Sequence, residues 1–87
     1  MVDYEKLKQA RNMGFIKHIG VETVELREGY AKGEIVLDER HANPIGSTHG
    51  GVLFTLVDTV GGAAATSRGR YVTTVSGNIN YLRPAMN

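Results

Sequence analysis

Residues 38–66 read DERHANPIGSTHGGVLFTLVDTVGGAAAT, and this stretch decides the fold. Its first part, residues 38–51, is rich in turn formers and has little apolar periodicity, which predicts a loop. From about Gly50 to Thr66 the pattern changes. Val52, Leu53, Phe54, Leu56, Val57 and Val60 are too evenly spread for a half-exposed element, which predicts a long buried helix. Asp58 is the single charged residue of that helix, and an unpaired carboxylate among apolar side chains is costly enough to need a purpose. At 100° per residue, Gly51, Phe54, Thr55, Gly61, Gly62 and Ala65 share its face. Leu53, Leu56, Val60 and Ala63 lie opposite, so one face packs while the other leaves room around an acid. The plainer alternative is a carboxylate paired with an arginine or capped by hydroxyls at a subunit contact.

The start of the same helix offers a second feature. The backbone N–H groups of Gly50 and Gly51 lack intrahelical acceptors and sit at the positive end of the helix dipole, where an oxyanion can be held. Gly50 and Asp58 are separated by eight residues, about 12 Å along the axis at the rise of an α-helix. Two groups that far apart cannot both reach one carbonyl. If both serve one reaction, Asp58 of one protomer faces Gly50 of another, as a two-fold dimer with antiparallel central helices allows.

On either side of this core the patterns are plainer. Tyr4, Leu7, Ala10 and Met13 recur at three-residue spacing, predicting an amphipathic helix over residues 3–17 with Asp3 as N-cap. Alternation from Val21 to Arg27 and from Ala31 to Leu37, joined at Glu28-Gly29, predicts a hairpin. Residues 72–82 place Val75, Gly77, Ile79 and Tyr81 on one face and Thr74, Ser76, Asn78 and Asn80 on the other, predicting a long strand closed by Pro84.

Composition narrows the function classes. The 87 residues bound the chain to one domain, 1–87, near the size at which a lone core is marginal, so self-association is expected. Ten Lys+Arg against nine Asp+Glu give a net charge of +1 with no basic stripe, which argues against nucleic acid as a partner. The absence of cysteine removes disulfides and thiolate nucleophiles. His18, His41 and His49 are too widely spaced for a zinc motif, so no metal is expected. No apolar run is long enough to span a membrane and no leader pattern is visible, which fits a cytoplasmic protein.

Asn43-Pro-Ile-Gly-Ser-Thr-His49-Gly50-Gly51, Asp58 seven residues after the second glycine, and Val75-Ser76-Gly-Asn-Ile-Asn-Tyr-Leu-Arg83-Pro84-Ala85 together resemble the PaaI-like (phenylacetic-acid-degradation type) hotdog-fold acyl-CoA thioesterases. The resemblance covers residues 41–85. It implies an α+β fold in which an antiparallel sheet wraps a long central helix, and an enzyme that hydrolyses small or aryl-acyl coenzyme A thioesters as a homodimer or larger assembly. It further implies that Asp58 is the nucleophile or general base and that the Gly50 N–H holds the thioester oxygen. Asn43 would position the carbonyl or the water, His49 would orient the loop, and Ser76 would assist the water or the acid. Gly51, Phe54 and Thr55 would contact substrate, and Arg68, Arg70 and Arg83 are candidates for the coenzyme A phosphates. Plainer roles stand beside these: Asn43 as a turn former, His49 as a helix cap, Ser76 as a strand hydroxyl, and the arginines as solvated surface. A thioester is activated enough that a carboxylate and an oxyanion hole suffice, so no cofactor is implied.

Members of this family continue beyond the Arg-Pro-Ala strand with three more strands, so the resemblance implies a C-terminally shortened hotdog. The alternative function is a noncatalytic acyl-CoA-binding or self-assembling fragment. A hotdog dehydratase is disfavoured because the helix carries Asp58 without the histidine that chemistry needs.

Overall fold

Asp3 opens the first helix, α1 (Tyr4–Arg11): its carboxylate accepts the Lys6 N–H at 3.1 Å, the bond an N-cap makes to an otherwise unpaired donor. The computed structural model describes residues 2–85. The single helix expected over residues 3–17 is divided in two, because Asn12 leaves the helical region and turns its amide onto the hairpin. Asn12 Oδ1 accepts the Thr23 N–H at 2.9 Å and Nδ2 donates to the Thr23 carbonyl at 3.3 Å. A side chain that pairs with neighbouring backbone in this way competes directly with helix continuation. A short second helix, α2 (Gly14–Ile19), follows.

The hairpin is present, as β1 (Val21–Arg27) and β2 (Tyr30–Ile35) in antiparallel register. Thr23 pairs with Gly33 and Glu25 with Lys32, which leaves Val24 as a bulge. The extra residue switches the inward face: Val21 and Thr23 point in before it, Val24 and Leu26 after it. This explains why the alternation that begins at Val24 does not run back in phase to Val21. The turn at Glu28-Gly29 needs a left-handed residue, which Gly29 supplies with φ 72°. Arg27 stacks over the Tyr30 ring, 3.9 Å from its centroid.

After a single 3-10 turn at Glu39–His41, the long helix α3 (Gly50–Thr66) crosses the hairpin with the bounds expected from sequence. It packs through Leu56, Val60 and Ala63, three of the four residues placed opposite Asp58. Contact is close because Gly33 has no side chain: a Cβ there would stand 2.5 Å from Val60 Cγ2 and 3.3 Å from Leu56 Cδ1. At the far end, the wholly buried Ser67 accepts the Gly29 N–H at 2.7 Å, fastening the helix terminus to the hairpin turn.

Two expectations are corrected. The helix is half buried rather than enclosed: Val52, Thr59, Ala63 and Thr66 are covered, whereas Val57 is 61% exposed. Its second face has little of the described chain against it. The strand expected at residues 72–82 is not formed. A strand needs a neighbour to complete its hydrogen-bond ladder, and among the described residues none lies beside this segment, since the sheet contains only β1 and β2. The segment instead runs as irregular chain over α3, where a Cβ at Gly77 would meet the Phe54 ring at 2.8 Å.

Gly33→Ala should force Val60 and Leu56 off the sheet and lower stability by about 1–3 kcal/mol, the usual penalty for overpacking. Urea unfolding followed by circular dichroism measures it, and a Val60→Ala background should recover part of the loss.

Candidate active site

His49 caps the start of α3. Its Nδ1 accepts the Gly51 N–H at 2.8 Å, so the plainer role read for this histidine is the one it fills. The consequence falls on the two glycines. Gly51's amide is occupied, while among the described residues Gly50's amide, the first of the helix, has no acceptor. The Gly50 carbonyl accepts the Tyr81 hydroxyl at 2.9 Å.

The loop before the helix is built around Asn43. Its Oδ1 accepts the N–H groups of Ile45 at 3.1 Å and Ser47 at 3.0 Å, and its Nδ2 donates to Ser47 Oγ at 2.7 Å. The Asn43 backbone N–H reaches the Ser47 carbonyl at 2.7 Å, closing the turn. One of the two Nδ2 protons remains uncommitted by this set. His41 anchors the loop from behind. It is 1% exposed, accepts the Asp38 N–H on Nδ1 at 2.9 Å, and approaches the Ile19 carbonyl with Nε2 at 2.6 Å. Those partners require the neutral tautomer with the proton on Nε2. Beside it, the Arg40 side chain and then its backbone N–H hold the Asp38 carboxyl below its ordinary value.

Asp58 is exposed and opens into a groove of about 640 Å³ between α3, the α1–α2 region and residues 72–79. That volume lies within the range of small-molecule sites. Asp58 Oδ1 accepts the Thr74 hydroxyl at 2.5 Å. Of the sequence-derived candidates, Phe54, Thr55 and Ser76 line the same groove. Thr55 turns its hydroxyl proton back to the Gly51 carbonyl at 2.7 Å. Gly50, Gly51, Asn43 and His49 do not line it; they gather at the N-terminus of α3, about 12 Å along the axis from Asp58. The three arginines are dispersed. Arg68 lies against Gly29, Arg70 lines a separate hollow with Lys6 and Tyr71, and Arg83 is exposed.

Among the groove residues that the sequence reading did not name as candidates, two stand out. Thr74, rather than Ser76, is the hydroxyl on Asp58; both sit on the same side of the alternating stretch, and nothing in that pattern separates them. Arg11, at the end of α1, also lines the groove, and it belongs to no motif.

Residues 45–86 match the sequence model of the family described as the thioesterase superfamily. Acyl-coenzyme A thioesterase 13 of Homo sapiens is 37% identical over 82 residues, covering 91% of this chain and 57% of that protein. Residues 45–86 thus carry a thioesterase-superfamily sequence. Acyl-coenzyme A thioesterase PaaI of Escherichia coli is 32% identical over 68 residues, which cover 78% of this chain and 49% of that one. The solved structure of the E. coli PaaI protein from the phenylacetic acid degradation operon superposes with TM-score 0.85 at 28% identity, covering 95% of this chain and 62% of that chain. Zebrafish thioesterase superfamily member 2 superposes with TM-score 0.80 at 29% identity, covering 99% and 68%. The fold is therefore an α+β hotdog, and the chain spans about half the length of the relatives it matches.

Asn43→Ala removes three side-chain hydrogen bonds that shape the loop and should lower stability by about 1–3 kcal/mol. Thermal unfolding compared with Asn43→Asp, which keeps the acceptor, tests this: Asp should lose less.

Proposed function

We propose that the protein hydrolyses acyl-coenzyme A thioesters, with Asp58 as the reacting carboxylate and the Gly50 N–H of a second protomer as the oxyanion donor. The observation that carries this reading is the placement of Asp58: one carboxylate on an otherwise uncharged helix, opening into a ligand-sized groove in a thioesterase-superfamily domain. Asp58 attacks the thioester carbon directly or removes a proton from an attacking water, and the thiol of coenzyme A leaves. Thr74 orients the carboxylate through its 2.5 Å hydrogen bond, and Ser76 stands on the same wall. Phe54 and Thr55 contact the acyl group.

At the other end of the helix, His49 consumes the Gly51 donor and leaves Gly50 as the one that meets the developing oxyanion. Asn43 contributes through the loop it ties and through its uncommitted Nδ2 proton. Geometry and surface both support self-association. Gly50 and Asp58 are about 12 Å apart on one helix, and the Asp58 side of α3 is open, with Val57 exposed beside it. An antiparallel helix pair covers that surface and brings each Asp58 to its partner's Gly50. Arg68, Arg70 and Arg83, from either protomer, would meet the coenzyme A phosphates. The activity, the substrates and the assembly are all part of this proposal. No described helix is long and apolar enough to cross a membrane.

Asp58→Asn should leave fold and assembly intact and lower kcat by about 100- to 10,000-fold, the range of a lost general base or nucleophile. A coupled thiol-release assay on acyl-CoA substrates measures it, and near-normal turnover by a folded variant sinks the assignment.

Shared sites give a further expectation. Gly50→Pro removes the donor at a helix position where proline is tolerated, with the Tyr81 ring, 3.0 Å from a Cβ there, moving aside. Co-refolding this protein with Asp58→Asn at equal concentration should make about half the dimers mixed and restore about a quarter of wild-type activity. If both parents fold and exchange subunits yet the mixture stays inactive, each site lies within one chain.

A further inference from the structure

Among the described residues lining the Asp58 groove, Arg11 is the only cation. Its guanidinium lies against α3 at Gly62, where a Cβ would stand 3.0 Å from Nη2. Gly62 is one helical turn beyond Asp58 on the same face, about 6 Å along the axis. Arg11 can lie there because residue 62 has no side chain.

The hydrogen bonding of Arg11 is far from saturated. Of five N–H donors, one on Nη1 reaches Thr66 Oγ1 and one on Nη2 reaches the Thr59 carbonyl, each at a long 3.4 Å and each to a neutral oxygen. Its Nε is enclosed and has no partner. Among the described residues no carboxylate lies within ion-pair distance of it, Asp58 included. A partly buried guanidinium of this kind is a ready site for a planar anion, which takes two of its donors in parallel.

We infer that the groove takes acyl groups that end in a carboxylate, with Arg11 as the specificity-determining residue that binds it. This rests on the reading of Asp58 as the reacting carboxylate, which sets the thioester at one end of the groove. The substrate's own carboxylate is repelled from that end by Asp58 and drawn to the other by Arg11. The single turn between them suits a short dicarboxylic chain such as glutaryl, with Phe15 and Ile16 of the groove wall beside its methylenes. The plainer role for Arg11 is to hold α1 to α3 through its two long bonds.

The test compares glutaryl-CoA with valeryl-CoA, which has the same five-carbon length with a methyl in place of the terminal carboxylate, for the wild type, Arg11→Gln and Arg11→Lys. The readout is the ratio of the two kcat/KM values, in which any general loss from the substitution cancels. Wild type should favour glutaryl-CoA by about 10- to 100-fold, as one charged bidentate contact implies. Arg11→Gln should abolish the preference and Arg11→Lys should keep part of it. A wild-type ratio near one, or a ratio unchanged in Arg11→Gln, overturns the inference; a lowered melting temperature with an unchanged ratio assigns Arg11 to holding the helices. Calorimetric binding of the same two thioesters to Asp58→Asn separates this from the hydrolytic reading. If neither thioester is turned over by wild type, the hydrolysis proposal fails. The inference then stands or falls on whether glutaryl-CoA binds about 10-fold or more tighter and loses that advantage in Asp58→Asn/Arg11→Gln.

Discussion

The contact on which the rest of the structure depends is the approach of α3 to β2 at Gly33. A helix can lie this close to a strand only where the strand presents no side chain, and a Cβ at this position would overlap Val60. That contact fixes the rotation of α3 about its own axis. With Leu56, Val60 and Ala63 turned to the hairpin, the helix has no freedom in where Asp58 points. It must open on the other side, into the groove. One missing methyl group on a strand therefore sets the direction of a carboxylate on a helix, through rigid packing and without any direct contact between the two.

The candidate site residues fall at two places on α3, its N-terminus and its middle. Its N-terminus is prepared by a loop tied both within itself, Asn43 to Ser47 and His41 to Asp38, and to its surroundings, His41 to Ile19, Thr48 to Ala85 and His49 to Gly51. Its middle presents Asp58 in a groove whose walls come from distant parts of the chain. The loop is held by many side-chain hydrogen bonds, whereas residues 72–79 cross the groove without a ladder of their own.

Much of this was legible in the sequence, for reasons that lie in particular residues. The bounds of α3, the hairpin turn at Glu28-Gly29 and the cap at Asp3 all follow from local patterns, and local physics controls them. The features that escaped depend on partners distant along the chain. The helix expected over residues 3–17 breaks because Asn12 finds Thr23, and no window of local sequence contains that pair. The alternation in residues 72–82 is real, but alternation is a disposition that becomes a strand only beside another strand. The site candidates resolved unevenly for the same reason. His49 lies on the helix it caps, so its capping role was open to inspection, whereas Thr74 and Arg11 reach the groove from 16 and 48 residues away, as their bonds to Asp58 and Thr59 measure.

The bond between Ser67 and Gly29 bears on the order in which the parts come together. The hairpin needs only neighbours in the chain, but this bond closes a loop of 38 residues. Loop closure on that scale carries an entropic toll that grows slowly with length yet must be met before any long-range contact repays it. The hairpin can therefore assemble as a local unit, while the groove comes into being only when the far end of α3 docks. The groove therefore joins parts of the chain that lie far apart in sequence, and a bound ligand that bridges α1 and α3 would add a tie between them.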